Sequence, residues 1–173
     1  DVANANWSLR LGGNVGGDPV QFRSVNGASQ VASTTTGYSI NTWHHASARQ
    51  VSTTDRSVFI DGGSEGTSTG SVAPAGADRT TIGRAGDSTP GNGFDGDIAH
   101  MAVWDVALTN QEIASLAAGV SPLRVRRDSL IHYWPLNGNP IDIVGGLTLT
   151  INGTPAIVEE PPKLFGNHIV APG

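Results

Sequence analysis

Short runs of β-forming residues recur along the sequence, each cut off by glycine, serine, threonine, asparagine or aspartate. That punctuation leaves little room for a helical period and constrains the chain to a fold of many short strands. Strands are expected at residues 7–11, 20–25, 43–53, 57–61, 80–84, 97–104, 130–136 and 147–152. The clearest alternation is Leu147-Thr148-Leu149-Thr150-Ile151, with aliphatic side chains on one face and threonines on the other, as a half-buried strand requires. Residues 97–104 set Ile98, Ala102 and Trp104 against Ala99, Met101 and Val103, which predicts a central strand covered on both faces. Asp61-Gly62 follows Val58-Phe59-Ile60 and reads as a hairpin turn, because glycine tolerates positive φ. Many strands and little helix argue for an antiparallel sandwich or jelly roll.

One helix is well signalled, over about residues 110–118. Thr109 is the N-cap and Glu112 stands at N3, the two halves of a capping box. Leu108 and Ile113 are placed to close a hydrophobic staple over it, and Gly119 suits the C′ position. Ile113 and Leu116 form the stripe expected to be buried.

The 173 residues correspond to one domain, or one domain with a tail, and are enough to bury a core. There is no cysteine, so neither disulfides nor thiolate metal sites hold the fold. A net charge of -5 argues against a general nucleic-acid binder. No apolar run approaches the roughly 20 residues of a membrane-spanning helix. Only 14% of residues are charged, so the surface must be built largely from Thr, Ser, Asn and Gly. Residues 158–173 contain Pro161, Pro162 and Pro172 and read as an extended arm suited to docking on a neighbouring subunit.

An ordered series of motifs adds a resemblance. Trp43-His44-His45-Ala46 is followed by Val58-Phe59-Ile60-Asp61-Gly62, Ile82-Gly83 and Phe94-Asp95-Gly96-Asp97-Ile98. Trp104, Leu108, Thr109, Glu112 and Ile113 complete it. Together they resemble the laminin-G-like branch of the concanavalin A-like lectin and glucanase family. The resemblance implies an all-β, two-sheet antiparallel jelly-roll sandwich with one short helix, and mostly binding or structural roles. Tyr133-Trp134-Pro135, Asp142 and Gly145-Gly146 look like the opening strands of such domains, displaced to follow the helix. Strands from about 129–152 then complete a sandwich spanning residues 1–157, or residues after about Ser121 begin a second, incomplete domain. The terminal arrangement, including Val120-Ser121-Pro122-Leu123, is similar to members encoded by tailed bacteriophages.

The candidate sites are few. Glucanases on this fold need two carboxylates across one cleft. Of the glutamates Glu65, Glu112, Glu159 and Glu160, Glu112 is occupied by capping and the last two lie in the tail. Asp95 and Asp97 flank Gly96 at a loop edge. The chain is therefore expected not to be an enzyme. Asp87, Asn92 and Asp95 share one loop and are the candidate ligands for a calcium ion. Ala99 stands where the family carries an acid, which counts against a calcium role there.

His44 and His45 face opposite sides if both lie on a strand, with His45 the hydrogen-bonded one and His44 toward the surface. Trp43, Trp104 and Trp134 are expected in the core, leaving Trp7 and Tyr38 as the freer aromatics. Arg124, Arg126 and Arg127 form a basic cluster that is either a solvated face or a contact for an acidic subunit surface. The expected function is a non-catalytic virion surface or structural protein, in a tail, fibre or capsid decoration. Its partners would be other virion proteins, copies of itself, or a host cell-surface glycan. The alternative is a secreted, extracellular bacterial carbohydrate-binding module. A glycoside hydrolase is disfavoured by the missing acid pair.

Overall fold

The computed structural model describes residues 5–76, 79–86 and 93–158. It is mostly β, with three antiparallel sheets and one α-helix among the described residues. The chain divides into two compact units, residues 1–98 and 99–173.

The first unit is a pair of three-stranded meanders. Strands β1 (Ala5–Leu11), β2 (Pro19–Asn26) and β3 (Ala28–Gly37) form one sheet. Strands β4 (Ala46–Ser52), β5 (Asp55–Ile60) and β6 (Gly63–Ser68) form the other. The sheets stack in register, with β1 against β4, β2 against β5 and β3 against β6. Val20, Phe22 and Ala32 from one sheet meet Val58 and Ile60 from the other, with Tyr38 and Ala48 packed around them. Burial of such side chains contributes about 1.5–3 kcal/mol each for the large ones.

The spacing between the sheets is set by residue size. A Cβ added at Gly66 would lie 1.7 Å from the Ser33 carbonyl oxygen, so β3 and β6 touch backbone to backbone. At the β1–β4 side the sheets are joined by side chains. Gln50 Oε1 accepts from Trp7 Nε1 at 2.8 Å and from Ser24 Oγ at 3.1 Å. The register of β2 on β3 shifts between Pro19 and Gln21. There the Val20 amide donates instead to Thr34 Oγ1 at 3.0 Å, which keeps a buried donor satisfied.

Arg56 lies on the inner face and is 0% exposed. Its guanidinium donates to the carbonyls of Thr53 at 2.6 Å and Gly70 at 2.7 Å, and more weakly to Ser68 Oγ and Val72 O. The cation is thus held by main-chain dipoles and ties the segment after β6 to the β4–β5 turn.

The second unit pairs β7 (Met101–Trp104) with β8 (Leu130–Trp134). Between them run helix α1 (Asn110–Ala117) and two 3₁₀ turns, Pro122–Arg124 and Arg127–Ser129. The helix has the expected ends. Thr109 and Glu112 form the reciprocal capping box. Leu108 and Ile113 are both buried, as the staple requires. Gly119 (φ 93°) terminates the helix. The Val120 amide bonds Ser115 O and the Gly119 amide bonds Leu116 O, the two bonds of a Schellman motif.

Several sequence expectations are corrected. β3 and β6 carry no bulky apolar alternation and escape a reading based on it. Residues 80–84 are not a strand: Gly83 has φ 79° and its carbonyl accepts from the Phe94 amide, which bends the segment. The strand expected from residue 97 begins only at Met101, because His100 has φ 57°. The strand expected over 43–53 begins at Ala46. β8 stops at Trp134, since Pro135 lacks an N–H and Leu136 has φ 60°. Residues 147–152 form only a single bridge, Thr148 to Ile141, and Leu147 and Ile151 are half exposed rather than core-facing. Residues 159–173, nearly all of the expected arm, lie outside the described residues.

Candidate functional site

The chemically richest place in the first unit is the corner between β3 and β4, facing the β5–β6 turn. Asp61 (φ 51°) and Gly62 (φ 75°) both have positive φ, the geometry of a type I′ hairpin loop. This turn presents the Asp61 carboxylate to the 39–45 segment. Asp61 Oδ1 accepts from the His45 amide at 3.0 Å, and Oδ2 lies 2.8 Å from His44 Nδ1. His44 Nε2 lies 3.0 Å from both the Ser39 amide nitrogen and Ser39 Oγ.

The Ser39 amide can only donate, so Nε2 accepts and the His44 proton sits on Nδ1, directed at Asp61. Ser39, His44 and Asp61 therefore have the distances of a nucleophile–base–acid relay. Their chemistry is different. The one lone pair on Nε2 is already met by a main-chain N–H and is not free to receive a serine proton. The network is a clamp that fixes the loop. Within the same 39–45 segment, Trp43 is 37% exposed and Ile40 80% exposed. The Asp61 side chain remains 55% exposed. An exposed aromatic one residue from His44, which is bonded to an accessible carboxylate and near a hydroxyl, is suited to a polyhydroxylated ligand.

This corner changes the reading of three residues. Trp43 precedes the strand and is not in the core. His44 is the hydrogen-bonded histidine. His45 is the one whose ring is desolvated: its Nδ1 is buried with no hydrogen-bond partner, and burial lowers its pKa although Asp61 acts to raise it. Of the other aromatics, Trp7 is 47% exposed but tied to Gln50, and Tyr38 packs on the core. Trp104 is partly buried and donates through Nε1 to Val125 O at 2.9 Å. Trp134 is fully buried.

In the second unit the buried Asp142 organises a turn. Its Oδ1 accepts from the amides of Tyr133, Val144 and Gly145 at 2.8, 3.0 and 2.9 Å, and Oδ2 lies 2.6 Å from His132 Nδ1. Burial alone would raise this carboxyl's pKa. The three N–H groups and the histidine outweigh it and hold the group well below the usual carboxylate range. Both oxygens are engaged by protein donors, three on Oδ1 and one on Oδ2, so its role is to hold the turn.

The basic cluster is divided. Arg126 (φ 44°) donates through Nε to Glu112 Oε1 at 2.7 Å. That bond, with those from Thr109, pulls the Glu112 carboxyl down to about 2. Arg124 and Arg127 are exposed, and Arg124 lines a polar groove of about 400 Å³ with Gln111 and Ser115.

Of the calcium candidates, Asp87 and Asn92 lie outside the described residues, and Asp95 is an exposed loop carboxylate. Among the described residues no group of three His, Asp or Glu could hold a metal ion.

The two stacked meanders of the first unit define a β-sandwich. The chain belongs to the concanavalin A-like lectin/glucanases superfamily, whose family model matches residues 2–114. The all-β, jelly-roll sandwich class expected from sequence is therefore the fold of this protein. Comparison with curated proteins and with solved structures returns no match.

Proposed function

We propose that this protein is a non-catalytic glycan-binding domain displayed on a virion surface, in a tail, fibre or capsid decoration. The observation that carries the glycan reading is the clamped corner, where the exposed Trp43 directly precedes the His44 that is held by Asp61 and Ser39. The side chains there are fixed before a ligand arrives, which lowers the ordering cost of binding. The non-catalytic reading is supported by the state of the acids. Glu65 pairs with Arg49 at 3.0 Å, Glu112 caps α1, and Asp95 and Asp97 are exposed on a loop. The virion setting is supported by the likeness of the chain's later segments to phage-encoded members. Contact with other virion proteins or further copies would provide the display.

A glycan array probed with the wild-type chain and with Trp43→Ala, each with and without chelator, tests the binding reading. Binding by the wild type and its loss in the variant are expected. No binding by the wild type in either condition would sink it. Genes flanking this one test the setting: an absence of phage structural genes would move the protein to a secreted module.

A further inference from the structure

The first sheet has a charge pattern at odds with the chain as a whole. Net charge is -5, yet β1, β2 and β3 contain no aspartate or glutamate. They contain two arginines, Arg10 and Arg23. The register fixes where these point. Arg10 is opposite Gln21, and Arg23 is opposite Ser8. Both therefore lie on the face away from the sandwich core, since Phe22 and Ser24 take the inner positions. Diagonal neighbours on adjacent strands have Cα atoms about 7–8 Å apart. The nearness is felt: burial lowers the Arg10 pKa, and repulsion from Arg23 lowers it further.

Each guanidinium is tethered from behind to a neutral acceptor. Arg10 Nε donates to Gln21 Oε1 at 3.2 Å, and Gln21 is itself steadied by donating to Ser33 Oγ at 3.0 Å. Arg23 Nε donates to Ser29 Oγ at 2.9 Å. Among the described residues, nothing accepts from the terminal nitrogens of either arginine, and no acid neutralises the pair. Two like charges, on the exposed Arg10 and the half-buried Arg23, are thus held side by side with their terminal nitrogens unmet among the described residues. An arginine fork matches a carboxylate or sulfate through paired N–H bonds. The surrounding Ser8, Ser29 and Ser33 offer hydroxyls to a sugar.

We propose that the outer face of the β1–β2–β3 sheet is a second binding site, for an anionic glycan bearing carboxylate or sulfate groups, gripped by Arg10 and Arg23. It shares with the preceding reading only the class of ligand, and uses a different face from the Trp43 corner.

The test is retention of the intact chain on immobilised dextran sulfate and alginate, with neutral dextran and polyglutamate as comparisons, over a salt series. The wild type should be retained on both anionic polysaccharides and released as salt screens the charges. Arg10→Gln/Arg23→Gln, checked for native circular dichroism, should bind roughly tenfold more weakly or worse, the loss expected for charged hydrogen bonds. Arg10→Lys/Arg23→Lys keeps the charge and fold but loses the fork, and should fall in between. The salt-sensitive difference between anionic polysaccharides and neutral dextran should persist in Trp43→Ala, whatever the fate of the corner on the glycan array. Arg124→Gln/Arg127→Gln removes the same net charge from the other unit and should change little. Equal weakening by that control would overturn the site in favour of bulk charge. Equal retention on polyglutamate would overturn the glycan assignment, and full binding by the lysine pair would overturn the fork.

Discussion

Replacing Asp142 with alanine should unfold the turn that follows β8, and the size of the effect is set by three amides. In the native turn the N–H groups of Tyr133, Val144 and Gly145 all end on Asp142 Oδ1, and the aspartate is 1% exposed. Without it these donors lose their acceptor, the Tyr133 amide in a buried site and those of Val144 and Gly145 at its part-buried edge. At about 1–3 kcal/mol for the buried amide and about 0.5–1.5 kcal/mol for each of the two part-buried bonds, Asp142→Ala should cost about 3–5 kcal/mol. That is comparable to the whole stability of a small domain, about 5–15 kcal/mol. Asp142→Asn is the informative partner. Its amide oxygen can still accept the three N–H groups and only the charge toward His132 is lost, so about 1–2 kcal/mol is expected. Urea denaturation gives the two totals, and amide hydrogen exchange at the three named residues locates them. Equal losses in the two variants, or unchanged exchange in Asp142→Ala, would refute the account. The pH dependence has a definite sign. The folded pKa is depressed below the ordinary 3.8, so this stabilisation is present above that value and is lost as pH falls toward the folded one.

The β3–β6 contact makes Gly66→Ala a severe change: a methyl 1.7 Å from a main-chain oxygen forces the strands apart. Thermal unfolding should show at least the about 1–3 kcal/mol loss of an overpacked site, and a neutral result would contradict the close approach. Burial lowers the His45 pKa below 6.5. The stability from keeping it neutral is therefore complete above that value and drains as pH falls through it toward the folded pKa. His45→Gln should flatten that part of the stability–pH curve, and an unchanged slope would count against the desolvated ring. Ser39 should resist a fluorophosphonate probe, because the His44 lone pair is shared with a main-chain N–H; stoichiometric labelling abolished by Asp61→Asn would reverse the clamp reading.

What could be read from sequence follows from where the information resides. The helix ends are encoded within a few residues, in Thr109, Glu112, Ile113 and Gly119, and all of them appear as expected. β2 and β5 announce themselves because Phe22, Val58 and Ile60 fill wide parts of the interior. β3 and β6 do not. Their inner positions lie where the sheets touch, so they hold Ala32, Thr34 and Gly66, and the tightest packing leaves the weakest hydropathy signal. The corner was illegible for another reason. Trp43 and the two histidines look like the start of a strand, and alternation then assigns their faces. Asp61, many residues later, captures His44 and the His45 amide and delays the strand to Ala46. A turn aspartate recognised from its following glycine gives no hint of that second duty.

The unequal joining of the two sheets bears on how this domain can diverge. Along β3 and β6 the sheets meet main chain to main chain, and any side chain larger than hydrogen at residue 66 is refused. Along β1 and β4 a single amide, that of Gln50, bridges to Trp7 and Ser24. The first seam can be inherited but hardly edited. The second is written in three side chains, so the gap there can widen or narrow through point changes while the fold stays intact. New ligand shapes in relatives of this chain should therefore arise on the β1–β4 side.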